Sequence, residues 1–348
     1  MRVFVTGAGG FVGSHVAEHF ARQGHKVVAI DSHDRAARLE NAALSRAVTY
    51  RNWRRIASLP NVRTIRMDVR NAAKVMKIVG NSDIVIHAAA QVAPSVSLSD
   101  PWSDFQTNVV GTVNLLESLR RSRGDPTFIL CSTNKVYGEG VNALALHETS
   151  SRYVLKDPHY RRGIPEDFPI DHTRHSPYGV SKLSADLYAQ EYGHSYGLRT
   201  GVFRMSCIYG PGQLGSEEQG WISHFVLSAV EHRQVKVFGN GKQLRDVLHV
   251  GDLVRAFVAY SLHSRRLGSQ VFNIGGGPDR TLSPLELLRE LAFHLGRPPR
   301  VAHMGWRTAD QRVYVSDISR VSSLLHWQPS VFPIEGIEEL VRWAASGG

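Results

Sequence analysis

The segment Thr6-Gly7-Ala8-Gly9-Gly10-Phe11-Val12-Gly13 constrains this chain more than any other stretch. It joins an apolar run of strand length, Arg2–Thr6, to a helical pattern over Phe11–Arg22. Glycines spaced this way permit a tight turn at Gly7, close approach of backbone to a ligand at Gly10, and close packing of helix on strand at Gly13. The helix opening at Phe11, Val12 and Gly13 aims unpaired N–H groups and a positive dipole end at the turn, so the expected occupant is a phosphate. A glycine turn alone is a weak signal; following a strand and opening a helix is the context that gives it meaning.

Asp31 closes the next strand-like run, 26–30, about 20 residues further on. A carboxylate there accepts both hydroxyls of an adenosine ribose and repels a 2′-phosphate, which predicts NAD rather than NADP. Arg35 is the opposing residue, since an arginine just past that strand could accommodate the phosphate.

Further buried runs at 63–67, 84–88 and 127–131 read as strands. The segment 102–123 has helical periodicity, with Val109, Val113, Leu116 and Leu119 on one side. A second long helix is expected over 176–196 and a strand over 199–204. Alternating strands and helices predict an α/β fold, a Rossmann-type doubly wound parallel sheet with a smaller C-terminal substrate-binding lobe. At 348 residues the chain is long for one core. The expected division is an NAD-binding domain over 1–204, rejoined by a segment near 242–275, and a mainly substrate-binding lobe over 205–348, where Pro211, Gly212, Gly215 and Gly220 break the regular pattern.

Composition removes several classes. Hydrophobic residues at 42% and charged residues at 21% exclude a disordered chain. No apolar stretch approaches the roughly 20 residues of a membrane span, and Met1-Arg2 runs straight into Val3-Phe4-Val5 without a leader pattern. Cys131 and Cys207 are too few for a disulfide framework or a structural zinc site, so a cytoplasmic protein is expected. The net charge of +10 favours an anionic partner. Arginines gather between Arg35 and Arg70, including Arg51, Arg54 and Arg55, but without a nucleic-acid motif; they read as a solvated basic surface. His15-Val16-Ala17-Glu18-His19 matches a zinc-protease pattern in form. Its helix must also pack on the sheet and serve the phosphate turn, and no third ligand is available, so no metal is expected.

The chemistry centres on Tyr178-Gly179-Val180-Ser181-Lys182, which puts a phenol and an ammonium four residues apart at a helix start, on one face. A nearby ammonium and a cationic nicotinamide favour phenolate, and such a tyrosine can take a hydroxyl proton while hydride leaves the same carbon. Thr133, at the C-terminal end of the 127–131 strand, is placed to hydrogen-bond the reacting oxygen. In the second lobe Arg245 and Arg312 suit a bidentate grip on a diphosphate; the opposing reading is a surface arginine paired with Asp246 or Asp310.

Together these residues resemble the extended short-chain dehydrogenase/reductases, in the NAD-dependent epimerase/dehydratase family of nucleotide-sugar enzymes. The resemblance spans nearly the whole chain. It rests on the glycine turn, Asp68-Val69, His87-Ala88-Ala89-Ala90, Asn108, the Thr133/Tyr178/Lys182 set, Phe203-Arg204 through Tyr209-Gly210-Pro211, and Arg245-Asp246 through His249-Val250. It implies that Asp68 and Val69 meet adenine, that Ala88, Ala89 and Ala90 line the ribose side, and that Asn108 belongs to the cofactor site. It further implies an NDP-sugar substrate touched by Asn134, Cys207, Arg245 and Arg312, and a homodimer through the two long helices.

Within the family, Ser132-Thr133-Asn134-Lys135-Val136-Tyr137-Gly138, Glu218-Gln219-Gly220-Trp221, Gly239-Asn240-Gly241-Lys242-Gln243 and Asp310-Gln311-Arg312-Val313 are most similar to the CDP-paratose (CDP-tyvelose) 2-epimerases. The implied activity is inversion at C2 of an NDP-hexose through a transient ketone. The alternatives are a 4-epimerase, a dehydratase or a decarboxylase of the same family, and, from another class, a non-catalytic NAD-binding sensor or scaffold. Two departures stand out: Cys207 and Gln213 replace the asparagine and arginine that the family pattern leads one to expect.

Overall fold

A computed structural model describes residues 1–34, 42–92, 94–217, 219–307 and 310–347, with backbone only for 42–48 and 94–95. Arg35 and Glu218 therefore lie outside the described residues.

The chain divides into two units. The first holds residues 1–136, 176–204 and 254–272. Its seven-stranded sheet uses β1 (Arg2–Thr6), β2 (Lys26–Asp31), β3 (Val62–Arg66), β4 (Ile84–His87), β5 (Thr127–Thr133), β6 (Arg199–Met205) and β7 (Gln270–Ile274), labelled in chain order. Across the sheet they run β7-β6-β5-β4-β1-β2-β3. The pairs around β1 are parallel, with Thr6 opposite both Ile30 and His87 and His87 opposite Leu130. This register brings Thr6, Asp31, His87 and Thr133 out along one edge. The chain crosses from β1 towards β2 and β3 on one side and from β4 towards β5 on the other, so the glycine turn leaves β1 where the strand order reverses.

The core of this unit packs Phe4, Val85, Phe128 and Leu130 of the strands against Leu115, Leu116, Leu119 and Ala185 of the helices. Helix Pro177–Tyr196 starts where Ser176 accepts a hydrogen bond from the Gly179 N–H with Pro177 in its first turn, and stops at Gly197, whose φ of +69° suits glycine.

The expected continuous helix over 102–123 is a correction. The structure has a short helix Pro101–Asp104, a π-turn Phe105–Val110 and an α-helix Gly111–Arg120. The wider turn leaves the Asn108 side chain free to bond the Gln91 backbone and Ser181 rather than continue a regular helical stripe. Periodicity alone does not reveal such a bulge.

The second unit holds residues 137–175, 205–253 and 273–347 among those described. Strands Cys207–Tyr209 and Val313–Tyr314 flank Leu244–His249 in parallel, Thr281–Leu282 pairs with it antiparallel, and Val235–Phe238 pairs with Val301–Met304. Phe225, Val226, Val237, Leu287, Leu291 and Ile337 form its core. Two boundaries differ from expectation. Residues 137–175 belong here because Tyr137 bonds Asn273, Tyr153 N–H bonds the Lys242 carbonyl and Ile164 N–H bonds the Val315 carbonyl. The segment rejoining the first unit is 254–272, since Leu244–His249 pairs with strands of the second.

Candidate active site and cofactor cleft

The glycine turn is built by near-contact of backbones. Gly7 has φ +66°, and a Cβ there would fall 2.6 Å from the Ala89 nitrogen; a Cβ at Gly13 would fall 2.2 Å from the Gly7 carbonyl oxygen. Both positions exclude any side chain. Gly7, Gly10, Asp31, Asp68, Val69, Ala88, Ala89 and Ala90 all line one cleft, whereas Phe11, Val12 and Gly13 form the first helical turn behind it. Asp31 closes β2 with both carboxylate oxygens engaged: Gly9 N–H donates to Oδ2 at 2.9 Å and His33 N–H donates to Oδ1 at 2.7 Å. A cleft with a side-chain-free turn at one end and an oriented carboxylate at the other fits a dinucleotide.

Ser32, Asp34, Arg70, Gln91 and Thr107 also line this cleft and were not expected there from the sequence. Arg70 donates to Asp68 and to Asp34, so Asp68 is held by an internal ion cluster. Nothing in the spacing of Asp34, Asp68 and Arg70 announces that cluster, because Arg70 and Asp34 are 36 residues apart.

Lys182 is buried on helix Pro177–Tyr196, one turn after Tyr178, and its Nζ donates to the Cys131 carbonyl at 2.6 Å. Burial lowers its pKa to about 8, against the smaller opposing pull of Cys131 and Asp186. Tyr178 is half-buried on the first turn of the same helix. Thr133 ends β5, its hydroxyl donating to Asn134 Oδ1 and accepting from the Lys135 N–H, both at 3.3 Å. Asp186, one further turn along, accepts from Ser132 and from both Arg204 Nε and Nη2. Helix, β5 and β6 are thereby bolted together directly beneath Thr133 and Tyr178. Asp186 was missed by sequence reading; its i+4 spacing from Lys182 was the available signal.

Asn108 sits behind the cleft. Its amide accepts from the Gln91 N–H, donates to the Gln91 carbonyl and donates to Ser181 Oγ, which itself donates to the Tyr178 carbonyl. His87 has a single consistent protonation. Thr112 gives its hydroxyl proton to the Asn108 carbonyl at 2.6 Å, so it must accept from His87 Nε2–H at 3.1 Å. The bare Nδ1 then accepts from Thr6, whose oxygen in turn accepts from the Ala89 N–H. Burial first, and the Lys182 charge second, hold the His87 pKa down to about 3, consistent with this neutral form.

In the second unit Arg245 donates to Asp310 at 2.9 Å and to the Leu244 carbonyl, so it takes the acid pairing that the sequence offered as the opposing reading. Arg312 is exposed, with its guanidinium 5.6 Å from the Trp306 ring centre. Cys207 Sγ accepts from the Trp221 indole N–H at 3.4 Å. Gln213 is buried, donating to the Ile208 carbonyl and accepting from Ser223. On the first helix, His15 bonds the Phe11 carbonyl, while Glu18 pairs with Arg22 and Arg55.

A family model described as the NAD dependent epimerase/dehydratase family matches residues 3–275. The chain is 34% identical to CDP-paratose 2-epimerase of Salmonella typhi, covering 99% of this chain and 100% of that protein. It is 30% identical to UDP-glucuronate 4-epimerase of Thermodesulfobacterium geofontis, over 98% and 95% of the two chains. Among solved structures it resembles UDP-glucose 4-epimerase of Thermotoga maritima with UDP-glucose, at 26% identity and a TM-score of 0.79, covering 100% and 99% of the two chains.

Proposed function

The chain belongs to the NAD-dependent epimerase/dehydratase family of nucleotide-sugar enzymes, with NAD as its cofactor, and we propose that within it the protein inverts C2 of an NDP-hexose. The observation that carries this reading is the composition of the site around Thr133. Elimination needs an acid and a base beside the catalytic hydroxyl, and the residues following Thr133 are Asn134 and Lys135, with Thr133 bonded to the Asn134 amide. Asparagine exchanges no proton near neutral pH. The site therefore has redox machinery without the second proton-transfer pair. The choice of C2 is supported by the likeness to the Salmonella enzyme; the likeness to the Thermodesulfobacterium enzyme favours C4 as the second reading.

Bound in the cleft, NAD supplies the hydride acceptor and, on return, the donor. Gly7 and Gly10 admit its pyrophosphate, Asp31 takes the ribose hydroxyls, and Asp68, Val69 and Ala88 to Ala90 flank its adenosine half. Tyr178 accepts the proton of the sugar hydroxyl and returns it, Lys182 favours the phenolate and holds the nicotinamide ribose, and Thr133 polarises the reacting oxygen. The ketone formed on the sugar turns its other face before reduction. Asn134 and the second unit's Arg312 and Arg245 are the proposed sugar and diphosphate contacts; Arg245 would have to share its guanidinium with Asp310. Cys207 offers no amide donor there. For the assembly we propose a homodimer, built on the exposed Leu98, Trp102, Phe105, Val180, Leu187 and Tyr188. Leu115 and Leu119 of the same helical segment are buried in the first unit's core and lie outside that surface.

The test is an NDP-hexose deuterated at C2. The expected product has unchanged mass, inverted C2 and the label still at C2. Loss of water or carbon dioxide would overturn the epimerase reading; inversion at C4 would replace it with the second.

A further inference from the structure

The ribose-side carboxylate of the cofactor cleft is held by an aromatic clasp. His33, two residues after Asp31, is a non-glycine residue with φ +62°. That left-handed conformation is uncommon for residues bearing a Cβ, although asparagine, aspartate and histidine adopt it more often than others. It is also what turns the His33 N–H back onto Asp31 Oδ1, at 2.7 Å. With Gly9 N–H on Oδ2, each carboxylate oxygen is fixed by one backbone donor and keeps lone pairs for a ribose hydroxyl.

The imidazole is packed in place beside this turn. Its side chain is 6% exposed, and Nδ1, which lies 3.9 Å from Asp31 Oδ1, has no hydrogen-bond partner among the described residues. Instead the ring stacks on Tyr50, with centres 5.2 Å apart and an 18° angle, and meets the edge of Trp53 at 4.8 Å and 84°. Tyr50 and Trp53 lie three apart on helix Ala42–Ala57, hence on one face. The clasp thus replaces, by packing, the conformational freedom a glycine would have supplied. On the adjacent wall Arg70 gives its hydrogen bonds to Asp68 and Asp34.

We propose that His33, clasped between Tyr50 and Trp53, is a positioning residue that locks Asp31 towards the adenosine ribose and so sets the preference for NAD over its 2′-phosphorylated form. An Asp31 released from the His33 N–H can swing aside and admit the phosphate; a locked one cannot. The inference rests on the cleft binding NAD, and the experiment reports that separately as total occupancy of the unaltered protein.

The full chain is equilibrated with equal excesses of NAD and NADP, freed of unbound nucleotide, denatured, and the released nucleotides are quantified. His33→Ala and Trp53→Leu are expected to lower the bound NAD:NADP ratio about tenfold, by letting the turn relax. His33→Asn, which tolerates the left-handed turn, is expected to restore the ratio to within about twofold of the unaltered protein. A general loosening of the pocket would lower occupancy by both nucleotides and leave the ratio unchanged. That result, or a ratio for His33→Asn as low as for His33→Ala, overturns the proposal. If His33→Ala does not fold, Trp53→Leu and His33→Asn make the same comparison.

Discussion

The Lys182 ammonium, sealed from solvent, donates a 2.6 Å hydrogen bond to the carbonyl oxygen of Cys131, two residues before Thr133. One bond thus fixes the distance between the helix turn that carries Tyr178 and the strand end that carries Thr133. It also places a positive charge where little water can screen it, beside a histidine that stays neutral for the same reason.

Removal of the phenol tests the proton-transfer role. Tyr178→Phe is expected to lower turnover by at least about 100-fold while NAD remains bound, since the hydroxyl is the only group lost. Nucleotide released on denaturation measures the second quantity. Near-normal turnover with full NAD content would assign the base elsewhere.

Lys182 gives the activity an alkaline limit. Its pKa is lowered from 10.5 to about 8 by burial, so turnover that needs the ammonium falls as pH rises through about 8. The effect on stability has the opposite sign. Between about 8 and 10.5 the unfolded chain binds a proton that the folded chain has released, so this group's contribution to stability rises with pH across that window; below it, the cost of burying the charge is present in full. Lys182→Arg keeps its charge over the whole range, and its pH–turnover profile is expected to lack the limb near 8. A limb unchanged in that variant would assign the titration to another group.

Asp186 and Arg204 form a buried pair, with side-chain exposures of 0% and 5%. Asp186→Leu leaves the guanidinium without its counter-charge and Ser132 without its acceptor, at an expected cost of about 3–5 kcal/mol. Denaturant unfolding measures it. The double variant Asp186→Leu, Arg204→Met should recover part of the loss, because replacing both members of the pair leaves no guanidinium facing a missing carboxylate, while Lys182 still loses the smaller pull of Asp186.

The exposed aromatic pair Trp102 and Phe105, stacked with ring centres 5.2 Å apart, carries the proposed dimer contact. Trp102→Glu should yield a monomer by light scattering at micromolar concentration. An unaltered protein that is itself monomeric there refutes the dimer.

The elements legible in the sequence are those whose physics is local. The glycine turn declares itself because its strand, its turn and its helix are contiguous; Tyr178 and Lys182 declare themselves because four residues make one helical turn. Asp31 follows from counting along one βαβ unit. What the sequence left open depends on partners brought together by the sheet. Asp186 meets Ser132 across 54 residues, His87 meets Thr6 across 81, and Asn108 meets Ser181 across 73. The π-turn at Phe105–Val110 follows from that last meeting and has no counterpart in the hydrophobic period. Residues 137–175 sit with the second unit because Asn273 and Val315 receive them, which no composition shift announces. Local sequence therefore determined the glycine turn, the carboxylate at the end of β2 and the tyrosine–lysine pair. Tertiary structure decided which strand end each would face, which charges would be sealed from water, and that an aromatic helix face would hold the turn after Asp31, because hydrogen bonds and ring contacts between distant segments form only once the sheet has fixed its register.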